Sequence, residues 1–380
     1  MKAAALVLAA AFAAGSANPA YAQLGGLGKL KKMGDKAVDT KNKVDEFKVT
    51  DQEERQLGDQ VSLQLRDRFG VMQDEKVTKY VTLVGTVLAQ ASSKPKMDWK
   101  FVVLDTDGVN AYAAPGGLVH VTRGLLGLMK NEAELAGVLG HEITHVTERH
   151  TINAIKQNKA ISMTGDAVGS GGGLTQQALA RLAAAAFNKV FEGEFSQADE
   201  NESDRIGAQL ANKAGYAANG IAEVLNKIEA RNGARQDRNG MFASHPSIKE
   251  RLSNNEKLIK AEKLNATATA EARYKQNIAF DAKPIGDVAT TDVEGAAGLA
   301  AGDKKKDDDK KKDDASKKKG GFGLSAITGG KEQASTQQAS SAGARGGVPD
   351  RDAKGGPNKN PINVRVSAAE LEAFKKGIGA

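Results

Sequence analysis

Residues 131–149, NEAELAGVLGHEITHVTER, decide how this chain reads. Asn131 is a helix N-cap with Glu134 three residues on, a pattern whose side chains satisfy the first free backbone N–H groups, and the spacing predicts a helix to about Arg149. At 3.6 residues per turn, His141 and His145 stand one above the other on one face, close enough to share a metal ion, while Glu142 projects to the side. Two neutral imidazoles suit zinc, and an open coordination position lowers the pKa of its water to about 7. Glu142 is then placed as the general base. Leu135, Val138 and Leu139 make the flank apolar, and Gly137 and Gly140 allow close packing. The competing reading, a helix with two surface histidines, is weakened by the scarcity of that residue: 5 His in 380.

The chain has no Cys, which excludes disulfides, thiolate metal sites, a cysteine nucleophile and a lipid-anchored cysteine. A third metal ligand must therefore be His or a carboxylate. Glu148 and Thr151 stand where a metzincin has Gly and His, so that class is excluded. His150, about 180° round the expected helix from His141, should point away. His120 falls in an expected strand. The acidic run 199–204 is the better source: Glu200 and Asp204 are i,i+4 on one helix face, which suits Glu200 as ligand and Asp204 as the group orienting a zinc histidine. A solvated acidic helix start is the plainer alternative.

Around this centre the pattern is mainly helical. Thr50-Asp51-Gln52-Glu53 is a capping box opening a helix with Leu57, Val61, Leu65 and Phe69 on one stripe, and a second helix is expected from Glu75 to Ala91. Residues 99–104 and 118–122 read as an antiparallel pair, separated by a loop with Asp107-Gly108 and Pro115-Gly116-Gly117. Residues 165–173 hold five glycines and read as a loop, and the apolar stripe after it (Leu182, Ala183, Ala186, Phe187, Val190, Phe191) suits a core or a peripheral membrane contact.

At the start, Met1-Lys2, an apolar run over residues 3–14 and Ala20-Tyr21-Ala22 fit a secretory signal peptide cut after Ala22; no later segment reaches the roughly 18 apolar residues of a membrane span. Residues 23–49 are a leader segment and 265–284 a helical extension of a domain over 50–264. Residues 285–360 read as a disordered low-complexity linker: within them, 303–319 hold nine Lys and six Asp. Residues 361–380 suggest a short strand and a helix capped by Ser367 and Glu370. A net charge of +7, part of it in that tail, does not mark a nucleic-acid binder.

Four motifs in order resemble the HtpX and BepA-like zinc metallopeptidases of peptidase family M48: Asn110-Ala111-Tyr112-Ala113-Ala114-Pro115-Gly116-Gly117 with Thr122-Arg123-Gly124 after it; HEITH; residues 200–207; and Ser244-His245-Pro246 with Arg251. Ser203 and Gln197 depart from the family pattern at its periphery. The resemblance covers residues 50–264 and implies a mainly helical α+β, gluzincin-type domain with a small antiparallel sheet. It implies one zinc on His141, His145 and Glu200, Glu142 as base, Asp204 in support, and His245 as oxyanion donor or as a cap on the resting metal.

The expected activity is that of an exported, periplasmic zinc endopeptidase acting on misfolded or unassembled envelope proteins, near the outer membrane. The alternatives are an assembly chaperone with a latent, His-capped site, and a zinc enzyme acting on cell-wall peptides. An exposed edge of the strand 118–122, with Asn110, Gly117, Leu118, Val119 and His120, is the expected seat for an extended substrate backbone.

Overall fold

A computed structural model describes residues 49–157, 173–191, 195–232, 248–291 and 349–379. The expected signal peptide, nearly all of the leader, residues 165–172 of the glycine loop, His245, and residues 292–348 of the expected linker lie outside them.

In chain order the elements are α1 (Asp51–Phe69), α2 (Glu75–Ala91), β1 (Lys100–Leu104), β2 (Ala111–Ala114), β3 (Leu118–Thr122), α3 (Arg123–Leu128), α4 (Glu132–Thr147), α5 (His150–Gln157), α6 (Gln176–Phe191), α7 (Gln197–Lys213), α8 (Gly220–Asn232), α9 (Ile248–Glu262), α10 (Glu271–Asn277) and α11 (Ala368–Lys376). No helix among the described residues is long and apolar enough to cross a membrane. The mainly helical α+β class is as expected.

The local signals act as the chemistry of helix ends requires. Thr50 Oγ1 accepts from the Glu53 N–H and Glu53 accepts from the Thr50 N–H, closing the capping box of α1. Asn131 Oδ1 accepts from the Glu134 N–H at 3.0 Å and starts α4. Every residue of α4 is buried, which suits its Ala and Gly content, and the glutamates of its first turn are paired, Glu132 with Arg273 and Glu134 with Lys227. It packs on α2, α7, α8 and β2, with Leu135, Leu139 and Ile143 in one core cluster with Val84, Leu88, Val103, Val121 and Val224.

The sheet differs from the expected antiparallel pair. Its order is β1-β3-β2; β3 pairs parallel with β1 (Phe101 opposite Val119) and antiparallel with β2 (Tyr112 opposite His120). The difference arises because residues 111–114, read as loop, form a strand that folds back through Gly116 (φ 73°) and Gly117 (φ 95°), positions where a side chain would be strained. β2 takes one side of β3, and β1 reaches the other side running the same way. The apolar stripe of α6 is settled as well: Leu182, Ala183, Ala186, Val190 and Phe191 are buried, and α6 packs on α1, α5 and β2, so among the described residues this face meets protein.

Helices α4 and α7 meet backbone to backbone. A Cβ on Gly207 would lie 2.8 Å from the His141 backbone nitrogen, and one on Gly140 2.9 Å from the Gly207 carbonyl oxygen. This contact sets the carboxylates of α7 beside the histidines of α4. Gly207→Ala should destabilise the protein by about 1–3 kcal/mol, since overpacking outweighs the ~1 kcal/mol that alanine gains in helix propensity. Gly286→Ala, with nothing within 4 Å, is the control. Equal melting temperatures for the two variants would refute the close contact.

Two parts of the C-terminal region pack on the domain. Residues 349–356, within the span expected as linker, lie against it: Asp350 is buried, accepts from the Val109 N–H at 3.1 Å and pairs with Arg231 at 2.9 Å, while the Gly356 N–H is shared between the Phe69 and Asp105 carbonyls. The expected strand over 362–366 forms no ladder; its alternation is realised as half-buried Ile362, Val364 and Val366 between exposed neighbours. Helix α11 docks through Leu371 and Phe374, the latter edge-on to Tyr80 at 6.2 Å.

Candidate metal centre

His141 and His145 leave α4 one turn apart and their Nε2 atoms lie 3.0 Å from each other. Glu200, from the first turn of α7, brings Oε2 to 3.6 Å from His141 Nε2 and Oε1 to 3.4 Å from His145 Nε2. One ligand atom from each residue lies within 4.8 Å of the others, and all three side chains are buried at 0–1% exposure. Glu142 follows His141 on α4 and is buried with them.

Asp204, one turn after Glu200, accepts from His141 Nδ1 at 2.8 Å. That bond puts the His141 proton on Nδ1 and leaves the Nε2 lone pair facing the cluster, as a metal ligand requires. Burial alone would raise the Asp204 carboxyl; the Arg251 guanidinium and the His141 N–H overcome this and hold it well below the usual carboxylate range. Arg251, fully buried on α9, donates from Nε and Nη2 to the two Asp204 oxygens at 2.7 Å each and lies 3.1 Å from Glu200 Oε2 through Nη1. Two imidazole nitrogens and a carboxylate converging on one point, with the outer nitrogen of His141 tied to an anion, form a donor set that fits zinc.

His150 does not point away, as an α4 running to Arg149 would have required. The helix ends at Thr147, Arg149 takes a left-handed conformation at φ 60°, and α5 starts at His150. This returns the His150 ring to His145, with Nδ1 to Nδ1 at 2.9 Å. A non-glycine residue in that conformation costs about 1–3 kcal/mol. Arg149 offsets it through its guanidinium, 2.7 Å from the buried Glu54 carboxylate and 2.8 Å from the Val49 carbonyl.

The expected substrate stretch is placed differently. β3 is the central strand, hydrogen-bonded on both sides, so Leu118, Val119 and His120 present no free edge. Asn110 is buried, with its backbone N–H on Thr122 Oγ1 and its side-chain carbonyl accepting from the Ala111 N–H; Gly117 turns the chain against Met97. β2 is the strand on the metal-helix side: Ala113 and Pro115 border a narrow crevice with Glu54, His145, Val146 and Arg149, too tight for a water.

His120 faces α1, 2.9 Å from Ser62 Oγ, and burial lowers its pKa to about 3. Between the unfolded value of about 6.5 and that folded value, the unfolded chain binds a proton that the folded protein does not, so this stability is present above about pH 6.5 and drains away as pH falls towards 3. His120→Gln should flatten the dependence of unfolding free energy on pH between 6 and 4 by nearly one proton, about 1.4 kcal/mol per pH unit. Denaturant titrations at several pH values measure it, and an unchanged slope would refute the assignment.

Residues 75–259 match the model of Peptidase family M48. The chain is 31% identical over 211 residues to the Beta-barrel assembly-enhancing protease of Escherichia coli K12, covering 53% of this chain and 42% of that protein. It is 32% identical over 155 residues to the Metalloprotease YcaL of the same organism (40% and 58%), and 26% identical over 210 residues to its Metalloprotease LoiP (54% and 80%). The chain thus spans less than half the length of the first of these relatives.

Proposed function

We propose, from the premise that this chain belongs to peptidase family M48, that it is a zinc-dependent endopeptidase exported to the periplasm, where it hydrolyses misfolded or unassembled envelope proteins. The observation that carries the reading is the convergence of buried His141 and His145 on α4 with buried Glu200 on α7, beside buried Glu142. Export rests on the signal-like residues 1–22, and envelope substrates on the printed name of the first relative.

Zinc, when bound by His141, His145 and Glu200, supplies a Lewis acid and a water of lowered pKa. Glu142 takes the proton of the water that attacks the peptide carbonyl and passes it to the leaving amine nitrogen, so the carbon–nitrogen bond breaks without expelling an amide anion. Asp204 holds the His141 tautomer throughout, and Arg251 keeps Asp204 charged. His245 is proposed as a donor to the developing oxyanion or as a cap on the resting site.

The enclosure of the ligands, 0–1% exposed, favours a second reading: an assembly chaperone whose site is latent. Purified full-length protein separates the two. It should hold one zinc per chain by elemental analysis and digest casein, with digestion stopped by a chelator and restored by zinc. A zinc-loaded protein that leaves casein intact supports the chaperone; a protein without zinc rejects both.

A further inference from the structure

We propose that His150 is a positioning residue for His145, the middle of a relay in which the Glu202 carboxylate holds His150, and His150 holds the metal ligand. The inference rests on the zinc reading above. His145 turns Nε2 towards His141 and Glu200, and its other ring nitrogen, Nδ1, lies 2.9 Å from His150 Nδ1. Two ring nitrogens at that distance need a proton or a shared metal ion: the metal serves the His141 and His145 Nε2 atoms, 3.0 Å apart, and a proton serves the Nδ1 pair.

The far side of His150 suits that ring to accept it. His150 Nε2 lies 3.2 Å from Glu202 Oε2 and 3.7 Å from Asp199 Oδ1. A nitrogen facing two carboxylates is stable as a donor and repelled as an acceptor. With His145 Nε2 given to the metal, its ring proton stands on Nδ1 and is donated to His150 Nδ1, while His150 Nε2–H is turned to the Glu202 carboxylate. His145 Nε2 is left with its lone pair, matching what Asp204 does for His141. Packing fixes the arrangement: the two rings meet edge to face at 4.9 Å, Phe195 lies 4.3 Å from His145, and Ser203 Oγ is 3.4 Å from His150 Nδ1. The left-handed turn at Arg149 delivers His150 to this place.

The test uses the full-length protein with 15N-labelled histidine. In the zinc-loaded wild type, long-range proton–nitrogen correlations should show the His145 proton on Nδ1 and the His150 proton on Nε2. By competition with a chromogenic chelator, His150→Phe should lower zinc affinity about 10- to 100-fold while the metal-free melting temperature stays near the wild-type value. His150→Gln, whose carbonyl oxygen can accept from His145, should recover part of that loss, which a merely space-filling role does not predict. Glu202→Gln, at the surface, should cost a few-fold. A His150 proton on Nδ1 in the zinc-loaded wild type, or a His150→Phe protein that binds zinc as tightly as wild type, overturns the relay. If the wild type takes up no zinc, the zinc reading fails and the relay with it, whereas zinc uptake that His150→Phe leaves unchanged overturns the relay alone. If the phenylalanine variant does not fold, the wild-type tautomer and Glu202→Gln decide it.

Discussion

Glu142→Gln should lower casein cleavage by about a thousandfold or more, within the upper range of a lost general base, while the protein still binds zinc. The substitution exchanges one carboxylate oxygen for an amide nitrogen at constant shape, so the fully enclosed turn of α4 keeps its packing. The ligand atoms belong to His141, His145 and Glu200, and none is touched. What is lost is the group able to accept a proton from water and return it to the leaving nitrogen, because an amide has no useful basicity at neutral pH. Cleavage rate and zinc content, measured on the same preparation, check this. A variant that retains both zinc and wild-type cleavage removes Glu142 from the chemistry. A variant that loses cleavage yet complements a deletion strain places the biological role in binding.

Sequence alone carried the centre of this site because its signals are local. The N-cap of α4, the i,i+4 histidines and the i,i+4 carboxylates of α7 each depend on helical periodicity within a few residues, and each stands in the structure as spaced. What was not legible depends on partners distant in sequence. No Gly or Pro marks the break at Arg149; it is held by Glu54 and Val49, distant in sequence, so a helix continued to that point misplaces His150. Ala111–Ala114 has weak strand propensity and is a strand because a glycine turn lays it along β3, which reverses the expected role of that central strand. Asp350 sits in a polar, glycine-rich stretch whose composition argues for solvent, yet Arg231 and the Val109 N–H hold it buried.

Arg251 was legible only as part of a motif, since nothing in the polar sequence of α9 marks one arginine as buried. It is nevertheless the cation on which the second carboxylate layer depends. Replacing it by methionine, of similar length and without charge, leaves Asp204 and Glu200 side by side in the interior, and breaking a buried ion pair in this way costs about 3–5 kcal/mol. Zinc answers only part of this deficit, because it neutralises Glu200 as a ligand and does not reach Asp204. Arg251→Met should therefore melt well below wild type in the metal-free form, recover partly on zinc loading, and show a wider gap between the two forms than wild type does. Arg251→Lys should fall between them: an ammonium restores the charge and cannot form the two-pronged contact that holds both Asp204 oxygens at 2.7 Å. Differential scanning calorimetry with and without zinc gives all six melting temperatures. If the metal-free methionine variant melts with the wild type, the buried charges are balanced by other groups, and the Arg251–Asp204–His141 chain does not hold the site in place.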